Sequence, residues 1–139
     1  IKRKADAYAK TMAADELIIT ADTIVCLDEQ VLGKPADEAE AIAMIRSLSG
    51  RTHQVYTGVT LTTKEKQTSF VSRSDVTFAV LSDEEIAHYV THYHPMDKAG
   101  AYGIQEWIGY IGVERIEGSY FNVMGLPVQR LYTELKAML

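Results

Sequence analysis

A single carboxylate interrupts an apolar run. Residues Leu17 to Leu27 read LIITADTIVCL, with Asp22 in the middle between Ala21 and Thr23. An acid in such a run is costly to bury unless it is paired or holds a metal. Strand ends in α/β sheets are also where ligand sites form. Asp22 is therefore a candidate metal ligand or general base, and a carboxylate capping a neighbouring loop is the plainer alternative. Leu32-Gly33-Lys34-Pro35 follows. Gly permits a tight turn and Pro stiffens the backbone after it, so Lys34 is presented as a fixed cation that suits phosphate. A turn lysine in solvent is the alternative. The third segment is Asp97-Lys98-Ala99-Gly100-Ala101-Tyr102-Gly103-Ile104-Gln105. Its small residues let a ligand approach the backbone. Its last residue, Gln105, both donates and accepts and can read a base edge; a structural loop with an Asp-capped turn is the alternative.

Other reactive residues fall into weaker patterns. His88 and His92 stand four apart on a predicted helix, with His94 close by, and could share a metal. The Glu of a His-Glu-x-x-His motif is missing, and an exposed helix end accounts for the three without a metal. Cys26 has no obvious base beside it and reads as a small core residue. The chain has no Gly-x-x-x-x-Gly-Lys-Ser/Thr, Gly-x-Gly-x-x-Gly or Gly-x-Ser-x-Gly pattern. That weighs against P-loop NTPases, dinucleotide dehydrogenases and α/β-hydrolases.

The elements that position these residues alternate in type. Residues 1–13 read as the end of a helix, and the chain opens inside it at Ile1-Lys2-Arg3-Lys4, so further residues are expected upstream. Leu17 to Leu27 reads as a strand, and Asp28-Glu29-Gln30 as a turn. Asp37 and Glu40 have capping-box spacing ahead of a helix carrying Ala39, Ile42, Ile45 and Leu48, which Gly50 can end. Val55 to Thr63 and Gln67 to Ser72 read as a hairpin, and Val76 to Leu81 as another strand. Ser82 and Glu85 box the next helix. Trp107 to Ile116 reads as a glycine-interrupted strand pair and Gly118 to Gly125 as a loop. Pro127 opens a last helix in the first helical position, with Leu131, Leu135 and Met138 as its core stripe. Mixed helices and strands with both kinds of connection indicate an α/β or α+β domain.

Composition bounds the function. At 139 residues the chain makes one domain, and 47% apolar with 24% charged residues excludes a mainly disordered chain. Fourteen Lys+Arg against 19 Asp+Glu give a net charge of −5, which argues against a partner such as a nucleic acid polymer. One Cys cannot make an internal disulfide, which fits a reducing, cytoplasmic setting. No apolar run approaches the ~18 residues of a membrane span.

Taken in order, five blocks resemble the Maf family. They are Ala21-Asp22-Thr23-Ile24-Val25, Leu32-Gly33-Lys34-Pro35, the run from Leu48 to Val59 (LSGRTHQVYTGV), Asp97 to Gln105, and Gly118 to Pro127 (GSYFNVMGLP). The resemblance spans nearly the whole chain. It implies a single Maf-like domain over 1–139, with an α/β fold like inosine triphosphatase: an elongated mixed sheet flanked by helices around a central cleft. It implies a pyrophosphatase that cleaves nucleoside triphosphates between the α- and β-phosphates with a divalent cation, Mg²⁺ or Mn²⁺. Asp22 would be the proton acceptor, close to the metal or binding it, and Lys34 a phosphate contact. Lys4, in a Lys4-Ala5 pair like the family's, would be a second. Members are often dimeric, which makes a homodimer the oligomeric expectation. Thr23 and Gln105 match the subfamily acting on dTTP and UTP, in which Gln105 would pair with the carbonyl and ring N–H of thymine or uracil. The 7-methyl-GTP subfamily has Gln and Glu there and stays an alternative. The family's N-terminal strand with its Ser-x-Ser-Pro-Arg-Arg phosphate-binding segment is not in this sequence. A non-catalytic nucleotide-binding regulator of septum formation is therefore the alternative from another class.

Overall fold

The computed structural model describes residues 15–139. The helix expected over residues 1–13, and Lys4 with it, lie outside them. The expected first strand is β1 (Ile18–Leu27). It turns through Asp28 and Glu29, at φ 52° and 68°, into the short β2 (Gln30–Leu32). Positive φ at both central residues is the two-residue turn whose twist matches paired strands. Helix α1 (Glu38–Leu48) is capped by the Asp37 side chain, which accepts from the Glu40 amide. Only half of the expected box forms, because the Glu40 carboxylate takes the amide of Ala36 at 3.3 Å. Gly50, at φ 68°, follows the helix and donates its amide to Ala79.

Strands β3 (Thr52–Thr62) and β4 (Gln67–Phe78) form one long hairpin. The two strands expected over 67–72 and 76–81 are thus a single one, ending at Phe78. Each residue from Thr52 to Thr62 has a partner on β4, and Arg73 and Asp75, between the two expected strands, pair with each other at 2.9 Å. Helix α2 (Asp83–Tyr93) has the full Ser82–Glu85 box. Two 3₁₀ turns follow, Pro95–Asp97 and Ala99–Ala101.

The C-terminal third departs most from expectation. The strand pair expected over 107–116 is helix α3 (Trp107–Gly112) leading into β5 (Val113–Glu117). The loop expected over 118–125 contains a short helix, α4 (Tyr120–Met124), capped by the Ser119 side chain and closed by Gly125 at φ 122°. Pro127 is the cap residue of α5 (Val128–Met138) rather than its first helical residue. The expected stripe on α5 holds: Leu131 is buried, and Leu135 and Met138 pack against the same cluster.

The sheet order is β2-β1-β3-β4-β5, and each of these pairs is antiparallel. The α/β class with flanking helices stands, but among the described residues the expected mixed sheet is antiparallel throughout. Alternation along β3 puts His53, Val55, Thr57, Val59 and Leu61 on one face. That face carries two cores in tandem. Val55, Val76 and Phe78 pack with Ile45, Leu48, Ile86 and Tyr89 from α1 and α2. Val59, Leu61 and Phe70 pack with Leu131 of α5. Between the cores lies a polar row, Thr23, Thr57 and Ser72, which are register partners across three strands. Among the described residues no helix is long and apolar enough to cross a membrane.

His53 sits in the first core with no exposed surface, edge-on to Phe78 and Tyr102. Burial away from water pushes its pKa down to about 4. The fold therefore rejects the imidazolium that the unfolded chain accepts near its ordinary value of 6.5. This contribution is complete above pH 6.5 and is lost as pH falls towards 4, at a cost of about 3 kcal/mol below that window. Urea unfolding of the wild type should give a midpoint that drops across pH 6.5 to 4, and His53→Gln should flatten the drop. An unchanged slope in the variant would assign the acid sensitivity to other groups.

Candidate active site

A cavity of about 260 Å³ opens against the first core, where Val25, Val55 and Tyr102 line it beside Thr23 of the polar row. It brings together all four described residues expected at a site: Asp22, Thr23, Lys34 and Gln105. Asp97 and Lys98 share it, with Val123, Met124 and Gly125 on the far wall.

Asp22 differs from the sequence reading in two respects. It is exposed, and it stands mid-strand opposite Gly58 rather than buried at a strand end. β2 covers β1 only from Val25 to Leu27, so among the described residues β1 has no strand beside Asp22 on that side. The Asp22 carboxylate accepts the backbone N–H of Thr23 at 3.1 Å, which keeps it at the cleft although the two side chains start on opposite faces.

Lys34 is exposed on the loop after β2. The Gly33 carbonyl in that loop accepts the Gly100 amide at 3.1 Å, which ties the lysine loop to the Asp97–Gln105 segment. Gly100 is at φ 69°, and a Cβ there would meet both Val25 methyls at 3.0 to 3.1 Å. Only glycine serves both the backbone angle and the close approach.

Gln105, also exposed, is placed by Tyr89 of α2. The Tyr89 hydroxyl accepts the Gly103 amide at 3.0 Å and donates to the Glu106 carboxylate at 2.6 Å. Burial, then the bond to Glu106, hold this phenol well above the usual tyrosine range, so it stays a neutral donor. Lys98 is mostly covered, its amine 3.8 Å from the Asp97 carboxylate.

The far wall is fixed by Asn122 of α4. Its side-chain amide faces the Val55 carbonyl at 3.2 Å, the Ser74 hydroxyl at 3.0 Å and the Ser72 carbonyl at 3.2 Å. Two of those neighbours accept only, so the NH₂ must face them. The Thr57 hydroxyl reaches the Asn122 backbone carbonyl at 3.2 Å, and the Thr23 hydroxyl lies 2.9 Å from that of Thr57. Thr57 and Asn122 were missed as site residues. The available signal was their setting, a hydroxyl and an amide within apolar or β-rich runs. Asp97 and Lys98 lay in a segment that was singled out, but only Gln105 was drawn from it.

Asp22 and Asp97 give the cleft two carboxylates, and among the described residues no group of three or more His, Cys, Asp or Glu is placed to hold a metal ion. Two carboxylates suit Mg²⁺, which takes one or two from protein and completes its shell with phosphate oxygens and water. The histidines lie elsewhere. The His88 ring lies tilted over that of His92 with centroids 4.1 Å apart and meets Trp107 edge-on, whereas His94 faces Glu38 at 3.9 Å. Cys26 is half-buried in β1.

The sequence profile described as Maf-like protein matches residues 2–138. The chain is 64% identical to the dTTP/UTP pyrophosphatase of Bacteroides thetaiotaomicron, over 99% of this chain and 71% of that protein. It is 67% identical to the dTTP/UTP pyrophosphatase of Phocaeicola vulgatus, over 97% and 70%. It is 58% identical to that of Porphyromonas gingivalis, over 97% and 69%. The cleft residues lie within these matched stretches, and a profile and relatives that follow the chain almost from end to end make it a member of the Maf family.

Proposed function

We propose that this protein hydrolyses dTTP and UTP to the nucleoside monophosphate and pyrophosphate, acting on the cytoplasmic nucleotide pool. The observation that carries the reading is the gathering of Asp22, Thr23, Lys34 and Gln105 in one cleft. The relatives bearing that activity in their names support it.

The chemistry assigns each residue a task. Water attacks the α-phosphorus, the bond to the oxygen bridging the α- and β-phosphates breaks, and pyrophosphate leaves. Asp22 takes the proton from the attacking water. Lys34 and Lys98 supply positive charge to the phosphate chain, where charge shifts onto the leaving group. Lys4 is a further phosphate contact in this reading. A bound Mg²⁺ or Mn²⁺, held by Asp22 and Asp97, would offset phosphate charge. At the other end, the Gln105 amide donates to a base carbonyl while its oxygen accepts the ring N–H.

Pyrophosphate release from a panel of triphosphates tests this. dTTP and UTP should turn over fastest, and Gln105→Glu should lower their kcat/KM by about tenfold or more, because a carboxylate cannot donate to the carbonyl. An unchanged base preference in Gln105→Glu would remove that residue from base reading. No turnover of any triphosphate by the natural full-length protein would leave a nucleotide-binding regulator.

A further inference from the structure

The reading above leaves a gap in base selection. Gln105 is exposed, and its amide can turn end for end. In one orientation it matches the carbonyl and ring N–H of uracil; in the other it matches the amine and bare ring nitrogen of cytosine. Gln105 alone therefore cannot separate UTP from CTP. Discrimination needs a group whose hydrogen-bond polarity is fixed.

The polar row between the two cores supplies one. Thr57 has no exposed surface, and its hydroxyl carries one proton between two oxygens. The Asn122 carbonyl, 3.2 Å away, can only accept. The Thr23 hydroxyl, 2.9 Å away, can do either. Only one assignment satisfies both contacts: Thr57 donates to the Asn122 carbonyl, and Thr23 donates to Thr57. The reverse assignment would set two lone pairs against each other at 3.2 Å in a site closed to water. Asn122 itself cannot swing away, because its side chain is anchored on Val55, Ser72 and Ser74.

We propose that Thr57 is a specificity-determining positioning residue: it commits the Thr23 proton inward, so that Thr23 meets the base as an acceptor only and favours uracil and thymine over cytosine. Resting on the pyrophosphatase reading, this makes the Thr23 hydroxyl a second acceptor, beside the Gln105 carbonyl, at the ring N3–H. One N–H shared between two acceptors is a three-centre bond, the arrangement that helix termini use. Cytosine has a lone pair at N3, which faces the Thr23 lone pairs. Thr57 touches no substrate; it acts through Thr23.

The test is kcat/KM for UTP and for CTP in the natural full-length protein and in Thr57→Val and Thr57→Ser. Valine keeps the shape and removes the hydroxyl, which frees the Thr23 proton to turn into the cleft. The UTP:CTP ratio should fall by about tenfold, the worth of one misdirected hydrogen bond. Serine keeps both bonds and should keep the ratio. A merely structural role would lower both substrates together and leave the ratio where it was. Should Thr57→Val not fold, Thr57→Ala removes the same hydroxyl and is read in the same way. A ratio within twofold of wild type in a folded, hydroxyl-free variant overturns the inference and leaves the pyrophosphatase reading intact. A wild type that treats UTP and CTP alike also overturns the inference alone. A wild type that turns over neither UTP nor dTTP overturns both.

Discussion

Asn in place of Asp22 should lower kcat for UTP by roughly 10²- to 10⁴-fold, the range that a positioned general base contributes. The substitution preserves shape: the Asn oxygen can still accept the Thr23 amide, now at 3.1 Å from the carboxylate. What disappears is the charge. An amide cannot take the proton of an attacking water, and Asp97 is left as the one carboxylate among the described residues lining the cleft. Because Asp22 is exposed and outside both cores, the melting temperature should stay within a few degrees of wild type. Single-turnover kinetics would separate the chemical step from binding, and the loss should appear in the chemical step. A variant that retains more than a tenth of the wild-type rate would exclude Asp22 as the base.

The second large effect is structural in origin and catalytic in consequence. A Cβ on Gly109 would lie 1.7 Å from the Ile104 carbonyl oxygen and 2.7 Å from its carbon. Those are backbone atoms, so no side-chain rotation relieves the clash. Either α3 or the segment at Ile104 must move, and Ile104 is 5% exposed within the first core. Overpacking of this kind costs about 1–3 kcal/mol or more. The residue after Ile104 is Gln105, so the displacement is handed directly to the side chain proposed to read the base. Gly109→Ala should lower kcat/KM for UTP by about 10²-fold, as misplacing a positioning group by about 1 Å can do. Gly112→Ala is the control on the same helix. Its Cβ would meet the Leu81 methyls at 3.4 and 3.7 Å, an ordinary contact. Urea unfolding and steady-state kinetics on the two variants should separate them clearly. Equal effects in both would trace the loss to a general disturbance of α3 rather than to the contact with Ile104.

Much of this site could be read along the chain because its residues are marked locally. Asp22 stands out among apolar neighbours, Lys34 lies between a glycine and a proline, and Gln105 closes a glycine-rich segment. The strand character of β1, the β3–β4 hairpin and the Ser82–Glu85 cap are equally local, since each rests on residues within a turn or one strand repeat. Where local preference competed with packing, the reading failed. Ile108, Ile111 and the aromatic Trp107 and Tyr110 favour strands by composition, yet the close seat of Gly109 on the Ile104 carbonyl goes with a helix. Helix α4 spans five residues, too few for a helical period to show.

The sequence by itself determined the chemical inventory: one acid, one stiffened cation, one amide and the strands and caps that carry them. Only the tertiary structure decided how they meet. It left Asp22 exposed at the side of β1 that β2 does not cover, and it added Asp97 and Lys98 to the same cleft. It also joined Thr23, Thr57 and Asn122, which lie 34 and 65 residues apart along the chain, in one run of hydrogen bonds. The reason is physical. A lone charge in an apolar run announces its cost locally, whereas a neutral hydroxyl acquires a direction only from the partners that folding places around it.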